Sequence, residues 1–105
     1  MSYDPEILSR SAILLLRRMP HLYDASLSQL DGYNPANPHA FPQVMSVVHN
    51  ELGISFAEMS EHLDISADKL ERWYLDRSPS TREEREKVHD YGLQRLTGTW
   101  QPPNS

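Results

Sequence analysis

Five histidines (His21, His39, His49, His62 and His89) and fifteen carboxylate side chains are the groups in this 105-residue chain that could bind a metal or move a proton. No two histidines stand at paired metal-ligand spacing, and with no cysteine in the chain both a thiolate site and a disulfide framework are excluded. Glu58 and His62 lie one helical turn apart, a spacing that more often marks an ordinary surface pair than a metal site. No nucleophile elbow or paired-carboxylate cleft can be identified, and four glycines leave little material for a phosphate-cradling loop. Catalysis, a bound metal and a small-molecule cofactor are therefore not expected.

The other chemistry open to charged side chains is recognition of phosphates and base edges. The net charge of -5 weighs against it, because phosphate binding draws on lysine and arginine. The distribution of charge is more informative. Residues 1–40 carry three basic and four acidic groups, 41–78 three and seven, and 79–105 four and four. Six of the ten basic residues (Lys69, Arg72, Arg77, Arg82, Arg85 and Lys87) fall within 69–87, which allows a positive edge on an acidic body. Asp68 and Arg72 at i and i+4 read equally well as two base-contacting groups or as a helix-stabilising ion pair. Arg82, Arg85 and Lys87, interleaved with Glu83, Glu84 and Glu86, read equally as DNA-facing charge or as a solvated, self-paired helix face.

The elements that must position these groups are helical, and no strand pattern is present. Asp4 as N-cap, Pro5 and Glu6 open a helix running to about Met19, with Ile7, Leu8, Ala12, Ile13, Leu14, Leu15 and Leu16 covering more than one narrow stripe. So apolar a helix needs cover on two sides, a condition met equally by a helix shared between the domain and a second copy and by a core helix. Residues 24–31 form a short helix closed by Gly32, and "YNPANPHAFP" reads as a linker or wrapping loop because its prolines forbid regular helix. Pro42 to Leu52 is helical, with Gly53 at the left-handed C-terminal position. Ser55 and Glu58 make a capping box for a helix ending near Leu63, and Asp64 takes the tight turn. Ser66 caps a third helix, inward-facing at Leu70 and Trp73 and ending near Leu75. Ser80 and Glu83 cap a last one carrying Val88, Tyr91, Gly92 and Leu96. The tail 97–105 is irregular, with Trp100 available to pack back.

The expected fold is thus all-α: a small helical bundle containing a helix-turn-helix, with an N-terminal helical arm and linker over 1–40 as a possible dimerisation element, a main domain over 41–96 and a tail. The acidic N-terminus and the short apolar run 12–16 fit neither a standard secretion signal nor a membrane span, so a cytoplasmic protein is expected. The stretch "LGISFAEMSEHLDISADKLERWYLDRSPS" resembles the lambda-repressor-like family, the Cro and XRE-type helix-turn-helix proteins, with the likeness extending over about 42–96. The shared features are Leu-Gly before a serine cap, "I-S" before the second helix, a buried aliphatic, Arg-Trp and a following Ser-Pro. The chain departs from the family with Phe56 for a common glutamine, Ser60 for alanine and Asp64 for the turn glycine.

The resemblance implies that Ala67 and Asp68 meet base edges with Arg72 one turn further on, where thymine methyl, cytosine N4 and guanine O6/N7 are the matching groups. It also implies that Ser55, Phe56 and Ser66 lie against the DNA backbone and that Lys69, Arg77 and Arg82 supply charge to phosphates. The resulting expectation is a sequence-specific DNA-binding regulator, a small repressor that binds double-stranded operator DNA as a homodimer. A rival from another class is an acidic protein of the same fold that acts on a protein partner as antitoxin, inhibitor or DNA mimic.

Overall fold

A computed structural model describes residues 5–101. Among these residues there are six α-helices and no strand: α1 (Pro5–Arg17), α2 (Pro20–Asp31), α3 (Phe41–Ser46), α4 (Phe56–Leu63), α5 (Ala67–Tyr74) and α6 (Arg82–Thr97). The fold is a small all-α bundle. No helix among the described residues is long and apolar enough to cross a membrane.

The first two helices differ in their bounds from the sequence reading. The N-cap expected at Asp4 lies outside the described residues. Helix α1 stops at Arg17, because Pro20 excludes the residue before it from helical geometry, and Met19 accordingly sits at φ -119°, ψ 85°. Pro20 then starts α2 four residues earlier than expected, since a proline that ends one helix suits the first position of the next. Between α2 and α3 the linker is ordered by its asparagines: Asn34 Oδ1 accepts from the Ala36 amide and Asn37 Oδ1 from the His39 amide. The buried Tyr33 donates its hydroxyl proton to the Asn37 carbonyl. A 3₁₀ turn, Pro38–Ala40, runs directly into α3.

The helix expected to continue to Leu52 instead widens into a π-helical stretch, Val47–Glu51, closed by a bond from the Leu52 amide to the Val47 carbonyl. Gly53 follows with φ +68°, the left-handed position read from the sequence. Asp64 holds the same region at φ 56° and ends α4, as expected of a short polar side chain that tolerates it. Asp76 does likewise after α5, where the Arg77 amide reaches back to the Arg72 carbonyl.

One continuous core holds the bundle together. Leu30, Met45, Val48, Leu52, Ile54, Met59, Leu70, Val88 and Leu96 are fully buried in it. Ile13 and Leu16 of α1 join the same cluster, so the N-terminal segment contributes to this core. Trp73 is buried edge-on to Phe41 and donates its indole N–H to the Pro79 carbonyl, which ties α5 to the loop after it. Gly92 lets α6 approach the π-helical stretch after α3: a Cβ there would lie 2.9 Å from Val48 Cγ2.

The last helix begins one residue later than expected. Thr81 and Glu84, not Ser80 and Glu83, form the reciprocal cap, because the Ser80 carbonyl and hydroxyl are taken by Arg85. Arg85 is itself buried, its guanidinium spanning the carbonyls of Pro35 and Ser80, and is not part of a solvated charge face.

Candidate nucleic-acid interface

Helices α4 and α5 are joined by Asp64, Ile65 and Ser66, a three-residue turn. The Ser55 hydroxyl accepts from the Glu58 amide and the Ser66 hydroxyl from the Lys69 amide, so each helix starts at a side-chain cap. Leu70 and Trp73 hold one face of α5 in the core, leaving Asp68, Glu71 and Arg72 on the other. A shallow depression along that outer face is bordered by Asp68, Glu71, Arg72, Leu75, Arg77 and Ser78.

The residues singled out from the sequence do not all stand in the same state. Ser66, Asp68 and Arg72 are exposed and Ala67 is half-buried at the start of α5. Arg72 is 2.6 Å from Asp68, both largely solvated, so the i, i+4 ion pair is formed. Lys69 reaches Glu84 at 2.5 Å and lies over the Trp73 ring, linking α5 to the N-terminal cap of α6. The Lys69 bond, with the Thr81 amide, holds the Glu84 carboxyl below its ordinary value despite the opposing effect of burial. Arg82 pairs with Glu86 at 3.1 Å. Arg77 has no acidic partner among the described residues. Phe56, expected against the DNA backbone, is half-buried: its ring stacks on His49 at 4.1 Å and packs against Tyr74. His49 donates through Nδ1 to the Ile54 carbonyl, which fixes the ring under Phe56.

The sequence reading missed a buried polar cluster behind this unit. Glu58, read as half of a capping box and as a surface partner of His62, has a side chain wholly out of solvent. Its carboxylate accepts from Ser9 at 2.9 and 3.0 Å and from Arg95 Nη1 at 2.5 Å, and Arg95 Nη2 donates to the Ser9 hydroxyl. The Ser55 cap therefore lacks its reciprocal carboxylate. Arg95 Nη1 also donates to the Tyr91 hydroxyl, which lies 2.8 Å from His62 Nδ1, while His62 Nε2 lies 3.0 Å from Glu6.

The Tyr91 oxygen accepts from Arg95 and shares a further hydrogen bond with His62 Nδ1, and the Glu6 carboxylate accepts from His62 Nε2–H. Burial pushes the Tyr91 hydroxyl well above its usual range, with Arg95 pulling against it and Glu58 adding to it. Burial also works against the Arg95 charge, but Tyr91 and Glu58 outweigh it and raise its value. Trp100 covers the cluster, 4.2 Å from the His62 ring and 5.4 Å from the Arg95 guanidinium.

Glu6, Glu58 and His62 bring one potential ligand atom each within 4.8 Å of one another. Arg95 already supplies the positive charge there, and both His62 nitrogens and both Glu58 oxygens are engaged. The sequence signal for this cluster was Ser9, which with Glu6 puts polar side chains in register with Ile13 and Leu16 on the inward stripe of α1. Comparison with known proteins adds no relative: no family model, no curated protein and no solved structure matches the chain.

Proposed function

We propose that the chain is a sequence-specific DNA-binding regulator of the lambda-repressor-like kind, a small cytoplasmic repressor that binds operator DNA as a homodimer through α5. The observation that carries this reading is the outer face of α5. A helix anchored by Leu70 and Trp73 offers Ala67, Asp68 and Arg72 outward from a side-chain-capped N-terminus, with a second capped N-terminus at Ser55. Helix N-termini with free amides suit phosphate oxygens, and the first turn of the second helix suits base edges. The Asp68–Arg72 pair holds the guanidinium extended along the face, so that on DNA Asp68 accepts from a cytosine amine while Arg72 turns to a guanine. Two copies on two half-sites multiply an affinity that one helix supplies only weakly.

A second reading rests on a specific observation. Lys69, Arg72 and Arg82, three of the cations that should meet DNA, are each paired with an acid of the same chain, and residues 41–78 carry an excess of four negative charges. An acidic protein of this fold acting on a protein partner, as antitoxin, inhibitor or DNA mimic, would look the same.

Selection of bound sequences from random DNA, followed by a salt titration, separates the two. A regulator enriches a repeated or palindromic site and loses affinity steeply with salt. Arg72→Ala then relaxes preference at one base position at a cost of about 1–3 kcal/mol, while Arg77→Ala weakens binding uniformly and lowers the salt slope by about 1. Failure to retain any DNA at low salt, including the region upstream of its own gene, overturns the DNA reading.

A further inference from the structure

The outward face of α1 is apolar although the inward face already fills the core. Ile7, Leu8, Leu14 and Leu15 are 56%, 57%, 57% and 55% exposed, while Ser9, Ile13 and Leu16 on the opposite side are buried. At about 100° per residue the four exposed side chains span an arc of about 120°, with the exposed Ser11 at its centre. The pattern is symmetric along the chain as well: Ile7 and Leu15 stand four residues either side of Ser11, and Leu8 and Leu14 three.

We propose that this stripe is an isologous interface with a second copy of the chain, two α1 helices packing antiparallel about a two-fold axis through Ser11. In a two-fold interface residue i meets j while j meets i, so the contact surface must be self-complementary. The α1 stripe satisfies this condition: Ile7 and Leu14 lie on one side of Ser11 and Leu8 and Leu15 on the other, so Ile7 faces the partner's Leu14, Leu8 faces the partner's Leu15, and the small Ser11 meets itself where the helices cross. A different protein would require no such symmetry. Met19 and Leu22, in the turn and the start of α2, are also exposed, at 38% and 51%. The six side chains together offer roughly 550 Å² per copy, about two thirds of the ~800 Å² per partner in a standard interface, which matches the apolar share of homodimer interfaces.

The inference deepens the dimer of the proposed function but does not require DNA. Sedimentation equilibrium of the full chain reads it directly. The wild type is expected as a dimer at about 100 µM, and Leu14→Glu raises the dissociation constant at least about 100-fold. Ile7→Lys combined with Leu14→Glu in one chain restores the dimer, because the two-fold sets each lysine against a partner glutamate. Ser11→Cys gives a disulfide-linked dimer on mild oxidation, since helix axes about 8–10 Å apart place two facing Cα atoms within bonding reach. Ser78→Cys, outside the stripe, does not cross-link. The chain has no other cysteine to confuse the result. Circular dichroism confirms that these surface variants fold. A monomeric wild type, a dimer indifferent to Leu14→Glu, a double variant that stays monomeric, or cross-linking at Ser78 and not at Ser11 each overturns the proposal. DNA binding by a monomer would overturn it while leaving the DNA reading intact, and a dimer without DNA binding would do the reverse.

Discussion

Replacing Arg95 by methionine keeps most of the side-chain volume and removes the charge that stands opposite Glu58. Glu58 would keep only the Ser9 hydroxyl as a side-chain donor, and that single proton is also within reach of the Glu6 carbonyl at 3.1 Å. Tyr91 would lose the Arg95 donor as well. Leaving one member of a buried ion pair uncompensated costs about 3–5 kcal/mol. For a domain of this size each kcal/mol shifts Tm by about 4–8 °C, so a fall of roughly 12–40 °C is expected. That is a large part of a total stability of about 5–15 kcal/mol. The pair as a whole is a different matter, because replacing both charges by apolar groups of similar volume is often neutral or stabilising. Glu58→Leu with Arg95→Met should therefore be more stable than Arg95→Met alone. Urea denaturation followed by circular dichroism at neutral pH measures both, together with Glu58→Leu to close the double-mutant cycle. A loss under about 1 kcal/mol for Arg95→Met, or a double variant destabilised by the sum of the singles, would refute the reasoning.

Three further outcomes follow from the same geometry. Tyr91 has a folded-state value raised above that of the unfolded chain, so its contribution is fully present below about pH 10 and is lost as pH rises through the folded value; alkaline unfolding of the wild type should be steeper above that pH than that of Tyr91→Phe, read by far-UV circular dichroism. Glu84 has a depressed value, so its contribution is present above about pH 4.5 and is lost as pH falls through the folded value; Lys69→Ala should flatten the acid limb of a stability-against-pH curve, and an unchanged limb would show that the Lys69 contact is not maintained in solution. Gly92→Ala places a Cβ 2.9 Å from Val48 Cγ2 in a filled core, and overpacking of this kind costs about 1–3 kcal/mol, measurable as a lower urea midpoint at constant slope.

The sequence by itself determined the helical class, the two-helix unit and most of the caps, because those depend on local chemistry. Ser55 and Ser66 can satisfy amides only at a helix start, Gly53 and Asp64 suit the left-handed region, and Leu70 and Trp73 recur at helical spacing. The outward exposure of Asp68 and Arg72 followed from the same periodicity. Local chemistry was ambiguous where two roles share one pattern. Pro20 both ends α1 and begins α2, and the run from Ser80 to Glu84 contains two overlapping capping boxes, between which Arg85 decides by taking Ser80. Only the tertiary structure decided the fate of the charges. Glu58 has the spacing of a cap residue, but Ser9, 49 positions earlier, and Arg95, 37 positions later, draw it inward. Lys69 is drawn to Glu84, on the cap of another helix. Burial and ion pairing are set by which elements meet, and that information lies in long-range packing, not in the spacing of residues along one helix.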